Sequence, residues 1–314
     1  MTARNISRRN LRTNSSMNLR YLLLRLIRHF MPEGLARFLL KRRWIIKPGL
    51  ESTDPFTASQ RYVETLSAQG VDIKGRRVLV FGYGGRFAVG VDLLKRGAAH
   101  VVLCDHFVLL DTERNSELLS EYGNYLKLEH GEVQPRGEFI TLLHGDIREE
   151  PIQKQVAQVD VILSTSVFEH LDDVPGIVSA LAKLTAPGGI HLHFVDLRDH
   201  FFKYPFEMLK YSENVWRNFL NPTSNLNRYR FTDYKRVFES NFVKVEFTVL
   251  ERLMEEFHMA KDRVRAEFKT GKDDIDAVTL IHVIAREPYG VQRLQTLQAK
   301  IDRRSMLKKN GDEK

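Results

Sequence analysis

The sequence predicts an α/β protein: a doubly wound, mostly parallel seven-stranded sheet with amphipathic helices at the N-terminus and a helical cap. Three observations predict it. Five short apolar runs, each closed by glycines or polar residues, alternate with helical segments, the pattern of a parallel sheet joined by right-handed crossovers. Two further runs near the end of the chain read as a closing strand pair. With 43% hydrophobic residues in a chain of 314, one large core with extensions can be built.

Taken in order, Asp54-Pro55 opens a helix through Tyr62, Val63 and Leu66 that ends near Gly70. Val78-Leu79-Val80-Phe81 is an unbroken apolar run, as a strand buried on both faces requires, and Ala88 to Lys95 is the helix after it. The next runs are Val101–Cys104 before Asp105, Phe139–Leu143 before Gly145-Asp146, Val159–Leu163 before Ser164, and Ile190–Val195 before Asp196. Val243–Leu250 and Val278–Ile284 complete the sheet. The long connection from Leu109 to Arg136 is expected to add a second piece of the cap. In such sheets ligands bind beyond the carboxyl ends of the strands, which collects Gly82, Asp105, Asp146, Ser164 and Asp196 on one edge.

The domain reading is a basic extension over 1–48, the α/β domain over 49–290 with a cap insertion at about 200–235, and a charged C-terminal helix or tail over 291–314. The single cysteine, Cys104, excludes an intrachain disulfide and a cysteine-rich zinc site, and fits a reducing, cytoplasmic compartment. The net charge of +8 is concentrated at the N-terminus, where Arg4, Arg8, Arg9, Arg12, Arg20, Arg25 and Arg28 precede the first acidic residue, Glu33. Leu19, Leu22, Leu23, Leu26, Ile27 and Phe30 fall on one helical face, and Leu35, Phe38, Leu39 and Leu40 follow, set against Arg37, Lys41, Arg42 and Arg43. Arg25 and Arg28 make the run too short to span a bilayer. Residues 17–44 are therefore expected to lie on an anionic membrane surface, peripheral on the inner face, or to pack on the α/β domain over its site. An Arg-rich, acid-free N-terminus also resembles an organelle transit peptide.

The turn Gly82-Tyr83-Gly84-Gly85-Arg86 after the first strand brings backbone N–H groups within reach of a ligand. A dinucleotide fingerprint needs a third glycine where Phe87 stands, and no phosphate-loop Gly-Lys-Ser/Thr occurs, so nicotinamide and ATP readings lose support. The turn, with Asp105 ending the next strand, instead resembles the first motif of class I S-adenosylmethionine-dependent methyltransferases, of the type acting on small molecules and in glycan pathways. His144-Gly145-Asp146-Ile147, the segment Asp160–Leu171 with Glu169-His170, and Pro187-Gly188-Gly189 extend the likeness in order from about Gly75 to Asp199.

That resemblance implies a Rossmann-like methyltransferase fold with S-adenosyl-L-methionine as cofactor. It implies a cofactor site of Gly82, Tyr83, Gly84, Gly85, Asp105, His106, Asp146, Ile147 and Ser164, with Asp105 on the ribose hydroxyls, Asp146 on the adenine amino group and Ile147 against the ring. Candidate bases are His170, Asp196, Asp199 and His200; His191 and His193 share a strand face and read as packing or surface residues. Two departures stand out: Val80 replaces an acid common in the first strand, and Ser166 replaces the first acid of a metal-binding Glu-x-x-Glu-His, so no metal is expected.

Phe201 to Tyr234 is rich in aromatics and arginine, which suits sugar rings, phosphates or carboxylates, or else forms the core of the cap itself. The expected function is O-methylation of a small or glycan-like acceptor, near a membrane. The basic balance also admits an RNA methyltransferase, although the Asn-Pro-Pro-Tyr signature and a cysteine pair are missing and a nucleic-acid partner is disfavoured. A third reading, prompted by Val80, is a non-catalytic methyltransferase-like module tethered to the membrane.

Overall fold

The computed structural model describes residues 18–32, 34–35, 39, 54–106, 110–201, 203–221 and 225–290. A seven-stranded sheet forms the centre, in the order β5 (Ile140–His144), β2 (His100–Asp105), β1 (Arg77–Phe81), β6 (Val159–Thr165), β7 (Thr185–Asp196), β9 (Val278–Pro288), β8 (Phe242–Arg252). The first five are parallel, and β9 enters antiparallel between β7 and β8. This is the doubly wound, mostly parallel seven-stranded sheet expected from the sequence. Val78 to Phe81 are all buried because β1 lies between β2 and β6 with a hydrophobic cluster on each face.

Helix α1 (Leu19–His29) is capped by Asn18, and α2 (Pro55–Ala68) by Asp54, whose carboxylate accepts from Thr57 N–H at 3.1 Å. α3 (Ala88–Lys95) follows the glycine turn as predicted, and α4 (Val174–Leu184) and α5 (Phe231–Glu239) pack on the opposite cluster. The stretch expected to enlarge the cap does not do so. It forms two short helices and a ribbon, β3 (Leu126–Glu129) with β4 (Glu132–Pro135), packed on the main core through Tyr122, Leu126 and Val133. His130 and Gly131 both take positive φ, as a two-residue primed hairpin turn needs, and a His-Gly pair is a weak signal for one.

The cap segment from Tyr204 to Leu226 builds its own cluster of Phe206, Met208, Leu209, Trp216, Leu220 and Leu226, closed by α6 (Met254–Ala260) through Phe257. Two arginines that follow this segment are structural, whereas Arg217 within it is exposed and paired with Glu213. Arg228 donates to the carbonyls of Met208 and Tyr211 at 3.1 and 2.8 Å, and Arg230 to those of Leu197 and Val278 at 2.7 Å each. Arg230 is 5% exposed, so neither of these arginines is offered to an anionic ligand in the manner the composition suggested.

α1 packs against the cap, but not by the face its periodicity selects. Tyr21 and Arg25 are buried and Leu22 and Leu26 half-buried, whereas Leu19, Leu23, Ile27 and Phe30 stay 52–73% exposed. Most of the second basic segment, and all of 291–314, lie outside the described residues.

Inside β7, His191 and His193 are fully buried in a hydrogen-bond chain. Ser164 Oγ meets His193 Nδ1 at 2.8 Å, His193 Nε2 meets His191 Nδ1 at 3.2 Å, and His191 Nε2 meets Thr185 Oγ1 at 2.7 Å. Burial lowers both histidines, His191 to about 3, so folding keeps them neutral. Their stabilisation is complete above the unfolded histidine pKa of about 6.5 and is lost as pH falls from there toward the folded value. At pH 5 His191 alone is expected to cost about 2 kcal/mol relative to pH 7. Urea titrations at both pH values should show that loss in the native chain and a smaller one in His191→Gln; equal losses would contradict it.

Candidate active site

Three glycines shape the turn after β1. Gly82, Gly84 and Gly85 take φ of +76°, +67° and +81°, a region that side chains avoid. At Gly82 a Cβ would also lie 2.3 Å from Val167 Cγ2, so this glycine lets the ends of β1 and β6 approach. The turn is tied to β2: Gly82 N–H donates to Cys104 O at 2.8 Å, and Gly84 N–H donates to Asp105 Oδ2 at 3.1 Å. Asp105 thus stands beside the glycine backbone at the strand edge. His106 follows at the surface, close enough to Asp146 for its charge to help hold that carboxyl below its usual range.

One residue that holds this turn escaped the sequence reading. Asn115, 1% exposed, accepts from Phe87 N–H at 3.0 Å and donates to Gly85 O at 3.0 Å, clamping both sides of the turn. An asparagine within a short helix carries no pattern that announces this. Tyr83, by contrast, turns its ring inward, stacking on His144 with its hydroxyl 2.7 Å from His144 Nε2. Burial keeps that hydroxyl protonated, and only the main chain of Tyr83 remains for a ligand.

Asp146 is held by Arg148, whose Nε lies 2.9 and 3.0 Å from its two oxygens and whose side chain continues to Asp173. This hydrogen bonding lowers the Asp146 carboxyl. Two of the expected cofactor residues are buried. Ile147 is 1% exposed and lies in one core cluster with Leu143 and Ile152. Ser164 is fully buried, and its hydroxyl engages His193, its register partner on β7.

The four base candidates separate into two kinds. Asp196 accepts from Arg198 main chain and guanidinium at 2.7–3.1 Å. Asp199 has no exposed surface; Tyr21 Oη donates to its Oδ2 at 2.5 Å, Phe201 N–H to its Oδ1 at 2.9 Å, and Arg25 forms an ion pair with it. Both carboxylates are therefore engaged by arginines. His170 and His200 remain, with ring centroids 4.9 Å apart, and Glu169 lies with them. His170 Nδ1 is 2.8 Å from Asn225 O, and burial together with His170 lowers His200 to about 3.

Residues 112–193 match the family model described as a methyltransferase domain. Similar solved structures include an S-adenosylmethionine dependent methyltransferase from Mesorhizobium loti, 14% identical, with 71% of this chain and 96% of that one covered at a TM-score of 0.39. The YcgJ protein of Bacillus subtilis is 13% identical over 72% of this chain and 99% of its own, at 0.41. An O-methyltransferase family protein from Burkholderia thailandensis is 13% identical over 73% of this chain and 56% of its own, at 0.43. Among curated proteins no sequence matches. The match covers the segment from the helix after β2 to β7, beside the glycine turn closed on Asp105.

Proposed function

We propose that the chain transfers the methyl group of S-adenosylmethionine to an oxygen of a small or glycan-like acceptor at a membrane surface. The observation that carries it is the turn Gly82–Gly85 closed on Asp105, on the same sheet edge as Glu169, His170 and His200. The side-chain-free turn fits the methionine end of the cofactor, and the Asp105 carboxylate, with two acceptor oxygens, fits a ribose diol. Asp146 and the surface residue His106 flank the adenine end. Bound there, the cofactor supplies a sulfonium-activated methyl group. The chain's own task is to hold an acceptor hydroxyl in line and to take its proton, for which the imidazole of His170 is the candidate; burial lowers His200 to about 3 and leaves it a weak base.

A small acceptor is favoured because Glu169, Asp199 and the ring of His200 lie largely enclosed between the strand ends, the cap and α1. The membrane part rests on the exposed Leu19, Leu23, Ile27 and Phe30 of α1, preceded by a chain segment with arginines and no acid. No helix among the described residues is long and apolar enough to cross a bilayer.

The test uses methyl-labelled S-adenosylmethionine, extracts of the source cells and anionic vesicles. Label in the lipid-extractable or small-molecule fraction, with the protein floating on the vesicles, is the expected result. Label confined to RNA would establish the nucleic-acid alternative, and no label at all would leave the non-catalytic one.

A further inference from the structure

Glu169 is an anomaly. Its side chain is 3% exposed, yet neither carboxylate oxygen completes a hydrogen bond, although Ser166 and the main chain near Asp196 face it. Buried carboxyl groups are costly without partners, and proteins retain such costs at functional positions. Oxygen and nitrogen atoms of Glu169, His170 and His200 lie within 4.8 Å of one another.

We infer that Glu169, His170 and His200 form a binding site for a divalent transition-metal ion. Two imidazoles and one carboxylate are a donor set that suits zinc, cobalt, nickel or ferrous iron, whereas magnesium prefers oxygen alone. His170 is already oriented for this. Its Nδ1–H donates to Asn225 O at 2.8 Å, which leaves the lone pair of the neutral ring on Nε2, the arrangement that ligating histidines commonly show. Asn225 Nδ2 donates back to His170 O at 3.1 Å and fixes the same turn from the other side. Ligand atoms around a zinc ion sit about 3–3.5 Å apart, so side-chain rotations of modest size close the set. With three protein ligands the ion keeps a coordination position for water or an acceptor oxygen.

The sequence reading expected no metal because Ser166 breaks the contiguous Glu-x-x-Glu-His pattern. His200 is contributed from beyond β7, thirty positions along the chain from His170, where a contiguous motif does not look. The site therefore needs no acid at position 166. This inference uses the same histidines as the proposed proton transfer: with an ion bound they are ligands, and the proton-accepting role belongs to the metal-free protein.

The experiment is titration of the untagged, chelator-stripped full chain with Co²⁺, followed by visible absorption and calorimetry, and repeated with Zn²⁺. One equivalent should bind with a histidine-type cobalt spectrum. Glu169→Gln and His200→Gln should each weaken affinity about 100-fold or more, while His258→Gln, at an exposed histidine beside Asp273, should leave it unchanged. Circular dichroism checks folding; if Glu169→Gln fails to fold, His200→Gln decides. Absence of saturable binding by the native chain, or affinity unmoved by His200→Gln, would overturn the inference. S-adenosylmethionine binding, measured on the metal-free protein, separates that failure from failure of the methyltransferase site.

Discussion

Arg25→Ala is expected to lower the unfolding free energy by about 3–5 kcal/mol, the cost of leaving a buried charge without its partner. Arg25 and Asp199 have side chains only 1% and 0% exposed, and they pair across the contact between α1 and the strand edge. The guanidinium also donates from Nε to Tyr21 Oη at 3.2 Å and lies over the rings of Phe201 and Trp216 at 4.7 and 5.0 Å. Truncation removes the pair, the aromatic contacts and the anchor of α1 together. Asp199 would keep Tyr21 Oη and Phe201 N–H, which cannot balance a carboxylate whose burial already pushes its pKa up. Arg25→Ala with Asp199→Asn should recover part of the loss, because no unpaired charge is then buried. Urea unfolding of the native chain, the single variant and the pair measures this; a loss below about 1 kcal/mol would show that α1 is not docked as described.

That contact also marks the limit of what could be read from the sequence. Periodicity located the strands and α3 closely, because apolar runs between glycines have little choice in a buried parallel sheet. The same logic placed Leu19, Leu22, Leu23, Leu26, Ile27 and Phe30 on one face of α1, to meet a membrane surface or the domain, and the face that packs on the domain is centred instead on Tyr21 and Arg25. An arginine scores as outward in any hydropathy pattern; it is inside here because Asp199, far along the chain, is waiting for it. The glycine turn and Asp105 were legible because they are local, a strand end and a tight turn. Asn115, Glu169 and the approach of His200 to His170 are products of tertiary packing, and no spacing rule encodes them. The burial of Ile147 and Ser164 was likewise not legible, because a strand-end position does not fix how much of its side chain the neighbouring elements cover.

The second large effect concerns Asp105, where the whole functional reading converges. Two charge-assisted hydrogen bonds to a ribose, at about 1.5 kcal/mol each, amount to about 3 kcal/mol, or roughly a hundredfold in affinity. Asp105 also accepts from Gly84 N–H, so its loss loosens the turn that receives the rest of the ligand. Asp105→Asn, which keeps an acceptor oxygen, should lose less than Asp105→Ala. The carboxylate is half-buried at the strand edge, and neither substitution is expected to unfold the chain.

Calorimetric titration of S-adenosylmethionine into the native protein and into Asp105→Ala therefore decides the matter. One equivalent should bind the native chain, and the variant should bind about a hundredfold more weakly while melting at nearly the same temperature. Failure of the native chain to bind, or equal affinity in the two proteins, would contradict a cofactor seat at Asp105 and the glycine turn.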